Sequence, residues 1–488
     1  MKKLIVFIAA ALSAVSLCAS NPKREFRGAW IHIVGDQKMR TMTTEQIQSW
    51  FLETVDVLKE TGCNAVIFQV RPQADAFFES DLEPWTRFLT GVQGQAPDPY
   101  WDPLQFMIDA CHERGMELHA WLNPYRVTSN DKEGLCRNHL YYKNPSIFVK
   151  YGKQLYFDPA EPEARAHTVR VIADLVGRYD IDAVHFDDYF YPYPIEGQDF
   201  PDQASFRKYG LPQGYTQATK ADWRRNNVEM LIKEISDTIR VIKPWIRFGI
   251  SPFGIHRNKF QDPLGSDTNG LSNYDQLFAD VPAWAEKGYI DYIVPQLYWK
   301  IGHKRADYET LIRWWNERNF RGQLYIGQSI STLEEPDLDN PKTTQLEKKM
   351  ALVRNLENVD GNVWWPGWTI PQNACHVRDS LTARYQNTIA LIPAYTDIDS
   401  VCPDPVVNLR LEGGKLCWDA PSTDDPMQEA AWYVVYRTPA GEPMNTDNPA
   451  CIVAVTRKTS FDVEPGEYEY GVSSLDRCWN ESSVNIIP

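Results

Sequence analysis

From residue 26 to about residue 393 the chain alternates short runs rich in β-branched, aromatic and aliphatic residues with longer segments whose apolar positions recur at helical spacing. Repeated strand and helix units around a parallel sheet produce this alternation. Eight runs can be counted, at 27–32, 64–71, 116–123, 182–188, 247–251, 291–298, 323–328 and 362–365. Helical stretches such as 44–61, 103–114 and 162–179 separate them. Eight units in this length predict a closed (β/α)8 TIM barrel of the α/β class over residues 24–395, in preference to a doubly wound open sheet.

Buried parallel strands should be almost wholly apolar, so the polar residues inside the runs are the informative ones. They keep one parity. Gln69 and Arg71 alternate with Phe68 and Val70, and His119, Trp121 and Asn123 alternate with Leu118, Ala120 and Leu122. His185 and Asp187 alternate with Val184 and Phe186, and Gln296 and Tyr298 alternate with Pro295 and Leu297. With a period of two, each polar set shares the barrel interior while the apolar set meets the helices. A lone His119 or His185 would read as a hydrogen-bonded core group. Together with His32, Ser251 and Gln328 they would demand a large buried network without purpose, so the set predicts a binding cleft at the C-terminal mouth of the barrel.

Tyr125, Tyr189, Tyr191, Tyr193, Phe253, Trp299, Trp365 and Trp368 fall just beyond strand ends, where they would wall a sugar-binding groove. The expected substrate contacts are Gln69, Arg71, His119, Asn123, Tyr125, His185, Tyr189, Gln296, Tyr298, Trp299, Gln328 and Trp365. The tail at 403–488 differs in kind. Its short alternating runs at 409–411, 415–418, 433–437, 452–455, 460–463 and 468–473, parted by Pro, Gly and Asn, predict a small all-β sandwich.

Composition adds exclusions. A net charge of −15 gives no basic footprint, so nucleic acid is not an expected partner, whereas 17 Trp, 24 Tyr and 20 Phe suit a carbohydrate ligand. Lys2 and Lys3 precede an apolar run at 4–17 too short to span a bilayer, which reads as a secretory signal within residues 1–20. The expected location is exported: periplasmic, outer-membrane-anchored or extracellular. Cys18 is a candidate for lipidation, the only expected membrane link, with cleavage near Ala19 or Ser20 as the alternative. Of the eight further cysteines, Cys402, Cys417, Cys451 and Cys478 lie near enough in sequence for a disulfide. None has zinc-ligand spacing, and neither metal nor cofactor is expected.

The strings FRGAW, FQVRPQADAFF, YWDPLQFMIDACHERGMELHAWLNPYR, HFDDYFYPYP, RFGISPFGIHRN, DYIVPQLYW and LYIGQ resemble those of the glycosyl-hydrolase-like family ten, bacterial envelope proteins distantly related to glycosidase barrels. The resemblance spans about 24–395 and implies glycosidase activity, with at least one envelope member acting on peptidoglycan glycan strands. The eighth strand, with Trp364, Trp365 and Trp368, is more aromatic than the family at large. The tail resembles the fibronectin type III domains appended to bacterial glycosidases, which serve more often as spacers or packing partners than as sugar binders.

Glycoside hydrolysis commonly uses two carboxylates. The fourth run ends in the adjacent pair Asp187 and Asp188. Period-two geometry points Asp187 into the barrel as the expected general acid and turns Asp188 outward or into the loop, in an orienting role. No Glu ends the fourth, sixth or seventh run, so a loop acid (Asp75, Glu79 or Glu83) could supply the second carboxylate. Alternatively the substrate's own acetamido oxygen attacks the anomeric carbon, steadied by Tyr298, which is placed like the tyrosine on strand six of chitinase-type barrels. Two rival readings are a non-catalytic glycan-binding protein and a metal-dependent deacetylase using His119, His185, Asp187 and Asp188 as ligands.

Overall fold

The structure, a computed structural model, describes residues 21–35, 38–318, 320–336 and 342–487. The expected signal segment 1–20 and Cys18 lie outside them. Eight parallel strands close into one barrel in sequence order: β1 (Phe26–Ile31), β2 (Ala65–Arg71), β3 (Glu117–Leu122), β4 (Ala183–Phe186), β5 (Arg247–Ile250), β6 (Tyr292–Ile293), β7 (Gln323–Ser329) and β8 (Gly361–Trp365). The sixth is far shorter than the run 291–298 predicts. Pro295 has no N–H to give to a ladder, so the regular strand stops, and Gln296 rejoins through single bridges to Phe253 and Gly327.

The helices form where caps and apolar stripes coincide. Thr44–Glu60 opens with a reciprocal capping box between Thr43 and Gln46 and buries Ile47, Phe51, Val55 and Leu58 at helical spacing. Pro103–Glu113 starts with Pro103 at its first position and the Asp102 carboxylate on Gln105 N. Each such apolar side chain contributes about 1.5–3 kcal/mol by leaving water. No helix among the described residues is long and apolar enough to cross a membrane.

The tail forms seven strands: β9 (Val407–Glu412), β10 (Lys415–Asp419), β11 (Trp432–Pro439), β12 (Ile452–Thr456), β13 (Ser460–Asp462), β14 (Tyr468–Leu475) and β15 (Asn485–Ile487). They make a three-stranded sheet β9-β10-β13 and a four-stranded sheet β12-β11-β14-β15, a partition typical of fibronectin type III sandwiches. Strand β11 is buried on both faces, and its parity explains why. Tyr433 and Val435 join Leu416, Trp418 and Val472 in the sandwich core, while Trp432, Val434 and Tyr436 belong to a second cluster with Phe26, Tyr325 and Tyr395 under the barrel. Ion pairs from Arg457 and Arg477 to Asp180, at 2.6 and 2.7 Å, tie the rim. The sandwich therefore plugs the N-terminal end of the barrel. Cys402, Cys417, Cys451 and Cys478 are all free thiols, so the disulfide their closeness in sequence allowed does not form among them.

Candidate functional site

At the opposite, C-terminal end lies a cavity of about 360 Å³. Asp187 and Asp188, just past the end of β4, are its only acidic lining residues among those described. Asp187 accepts N–H bonds from Asn123 Nδ2 at 2.9 Å and Trp121 Nε1 at 3.1 Å. Both donors come from the inward face of β3 and its C-terminal continuation, as the parity predicts. Asp188 does not turn outward. The regular strand stops at Phe186, so alternation no longer dictates direction, and Asp188 enters the same cavity, 1% exposed, taking a hydrogen bond from the Tyr193 hydroxyl.

Electrostatics separate the two acids. Burial, and then the charge of Asp187, push the Asp188 carboxyl up to about 7. Burial also raises Asp187, but the nearby Arg126 cation and the N–H donors of Trp121 and Asn123 oppose it. Asp187 is surrounded by groups that can only donate, whereas Asp188 faces a hydroxyl able to donate or accept. A proton shared by the pair therefore resides on Asp188.

The walls are aromatic. Tyr298 and Trp365 stand parallel, 6.5 Å apart at 9°, and Trp299 meets Phe253 edge-on at 5.5 Å. Among the described residues, two buried N–H donors of the lining lack partners. Gln69 Oε1 accepts from Ile33 N and Val34 N, both at 3.0 Å, which leaves Nε2 free. Arg126 donates from Nε to Pro72 O and lies 5.2 Å from the Tyr189 ring, with Nη2 unpartnered.

Of the expected substrate contacts, Gln69, Tyr189, Gln296, Tyr298, Trp299 and Trp365 line the cavity. The other six do not. A bulge between Gln69 and Arg71 takes Arg71 out of the alternation, and its guanidinium grips Glu83 in the interior. His119 sits deep in the barrel between Glu117 and Tyr292, and His185 lies above it against Tyr292, Trp30 and Ser251. Asn123 stands behind Asp187, Tyr125 is a core residue, and Gln328 donates to Asn362. None of the loop acids reaches the cavity: Asp75 is buried on Gln93, Glu83 is held by Arg71 and His167, and Glu79 bonds Tyr100 at the surface. Trp30 and Arg126 escaped the sequence reading. Trp30 shares the inward parity of His32 and was legible, whereas Arg126 follows the end of β3, where periodicity gives no direction.

The ligand set required of a deacetylase does not assemble, because both nitrogens of His119 and of His185 point to partners other than Asp187 and Asp188. A larger groove of about 550 Å³ lies at the plugged end of the barrel, where paired ions such as Arg240 with Asp291 line it.

The sequence model of a family described as "Glycosyl hydrolase-like 10" matches residues 25–344. "Glycosyl hydrolase YngK" of Bacillus subtilis strain 168 is 39% identical over 499 residues, covering 97% of this chain and 95% of its own length. "Glycosyl hydrolase DigH" of Escherichia coli strain K12 is 39% identical over 334 residues, 65% of this chain and 74% of its own. Among solved structures, the catalytic domain of β-amylase from Paenibacillus polymyxa matches at TM-score 0.49 and 12% identity, over 75% of this chain and 98% of that one.

Proposed function

The chain belongs to the glycosyl hydrolase-like 10 family, and from that premise we propose that it is an exported glycosidase cleaving an amino-sugar glycan, peptidoglycan strands foremost. The observation that carries this reading is the pair of adjacent carboxyls in an aromatic cavity, one held by N–H donors that favour its anion against burial and the other pushed up to about 7. Asp188 would give its proton to the leaving glycosidic oxygen. Neighbouring residues on one strand end cannot readily stand on opposite faces of a sugar ring, the arrangement that two-carboxylate mechanisms use. The attacking atom is then the substrate's acetamido oxygen, which closes a ring on the anomeric carbon as the glycosidic bond breaks. Water opens that ring with Asp188 as base. Asp187 would orient the acetamido group and offset the positive charge, with Tyr298 beside it.

The free N–H groups of Gln69 and Arg126 support a substrate bearing acceptor oxygens. Arg126→Ala should raise KM about tenfold, the scale of a hydrogen bond to a charged group, while kcat stays within about threefold. Steady-state kinetics on the natural glycan decide it, and an unchanged KM would remove Arg126 from substrate contact. The function itself is tested by mass spectrometry of products from peptidoglycan strands and from a panel of plant and host glycans. A non-catalytic binder would retain glycan and release nothing, and it would have no use for a carboxyl protonated near neutral pH.

A further inference from the structure

The barrel interior below the cavity is threaded by a line of polar groups whose hydrogens can be assigned one by one. The Trp30 indole N–H can only donate and meets His185 Nε2 at 3.2 Å, so that nitrogen carries a lone pair, which it offers also to the Ser251 hydroxyl at 3.0 Å. The hydrogen of His185 is then on Nδ1, 3.0 Å from the Tyr292 hydroxyl. That hydroxyl donates onward to His119 Nδ1 at 2.9 Å, and His119 Nε2–H reaches Glu117 Oε2 at 2.8 Å. The other Glu117 oxygen pairs with Arg247 and accepts the indole N–H of Trp479, a residue of the β-sandwich, at 2.5 Å. Arg247 in turn donates to the Arg477 carbonyl, also in the sandwich, at 2.8 Å.

Every member from Trp30 to Trp479 is at most 2% exposed. Burial keeps His185 neutral and the Tyr292 phenol protonated, as the assignment requires. The backbone makes room at two points. A Cβ at Gly249 would stand 2.0 Å from Tyr292 Cζ, and one at Gly327 would stand 2.7 Å from Trp30 Cη2. An apolar filling would cost less desolvation, whereas a hydrogen-bonded polar chain fixes orientation, and in this one only the Arg247 Nε is left without a partner or counter-charge. At its upper end His185 touches both indoles of the floor: it accepts from Trp30, and it packs edge-on, 6.5 Å away, against Trp121, the donor to Asp187.

We propose that this column is a positioning device, through which Trp479 of the sandwich, Glu117, His119, Tyr292 and His185 set the floor indoles Trp30 and Trp121. The sandwich is thus a working part of the site and not only a plug. The role rests on the glycosidase reading for its kinetic consequence alone.

The test is nitrogen NMR of protein labelled with ¹⁵N-histidine, with kinetics in parallel. Wild type should contain a neutral histidine protonated at Nδ1, assigned to His185 by its loss in His185→Gln, and His119 protonated at Nε2. Tyr292→Phe removes the acceptor of His185 Nδ1–H, so His185 should exchange to the Nε2–H form facing Ser251, Trp30 should lose its acceptor and shift in the floor, and kcat/KM should fall about tenfold. Trp479→Phe, outside the barrel, should shift the His119 resonances and lower kcat/KM about threefold, and it serves alone if Tyr292→Phe does not fold. Unchanged tautomers with kcat/KM within about twofold in a folded variant, whatever happens to its thermal midpoint, would overturn the proposal. Should the wild type cleave no glycan, the glycosidase reading fails, and the tautomers still decide the column.

Discussion

Asp188→Asn should cut turnover of an unactivated glycan by at least ~10²-fold, the scale on which a general acid contributes, with folding and glycan binding retained. The side chain keeps its shape and its contact with Tyr193 but loses the proton that burial and Asp187 hold on it up to about pH 7. An aryl glycoside, whose leaving group needs little protonation, should recover most of the loss. Asp187→Asn should behave differently. Its anion acts on the acetamido group and not on the leaving oxygen, so it should stay impaired on both substrates. The reverse outcome, with Asp187→Asn rescued by the aryl leaving group and Asp188→Asn not, would restore Asp187 as the acid. Because the reaction needs protonated Asp188, kcat/KM of the wild type should decline as pH rises through the apparent upper value of the pair, near 7. That alkaline limb should vanish in Asp188→Asn.

The sequence carried the barrel because its evidence is repeated eight times and each repeat is long. A period-two polar face on β2, β3 and β4 also located the cavity, since Gln69, Trp121 and Asp187 do face one another across its floor. Periodicity failed where regular strands end. Asp188 and Arg126 lie two and four residues past such ends, and the bulge at Arg71 shifts the frame within a strand. Depth was equally hidden. His119 and His185 have the right parity but sit at levels where the barrel is filled by side chains, and only the closure of β1 to β8 brings Trp30 over them. The docking of the sandwich leaves one trace in the sequence, the apolar character of both faces of β11, which has meaning only once a second buried surface is known.

Glu83→Gln should destabilise the protein by about 3–5 kcal/mol at neutral pH, the cost of leaving one partner of a buried ion pair uncompensated. Glu83 and Arg71 are almost fully enclosed and meet in a fork, with Nε to Oε2 at 2.7 Å and Nη2 to Oε1 at 2.5 Å, and His167 adds a third contact at 2.9 Å. Burial alone would raise this carboxyl, but Arg71 and His167 outweigh burial and hold it at about 2. An unfolded Glu titrates near ~4.3, so the folded value is depressed and the stabilisation is complete above that pH. It is lost as pH falls from there toward 2, and it amounts to about 3 kcal/mol by linkage. Denaturant unfolding of wild type and Glu83→Gln should therefore differ most at pH 7, about half as much at pH 3, and converge near pH 2, where protonation removes from the wild type what the substitution removes from the variant. Arg71 also donates to the backbone carbonyl of Asn123, so the cluster braces the end of β3 that presents the Asp187 donor. Turnover per folded molecule should nevertheless stay within about threefold, because no atom of Glu83 reaches the cavity. If kcat instead collapsed while stability held, the proton donor would lie in the loop after β2, and the assignment of Asp188 would fall.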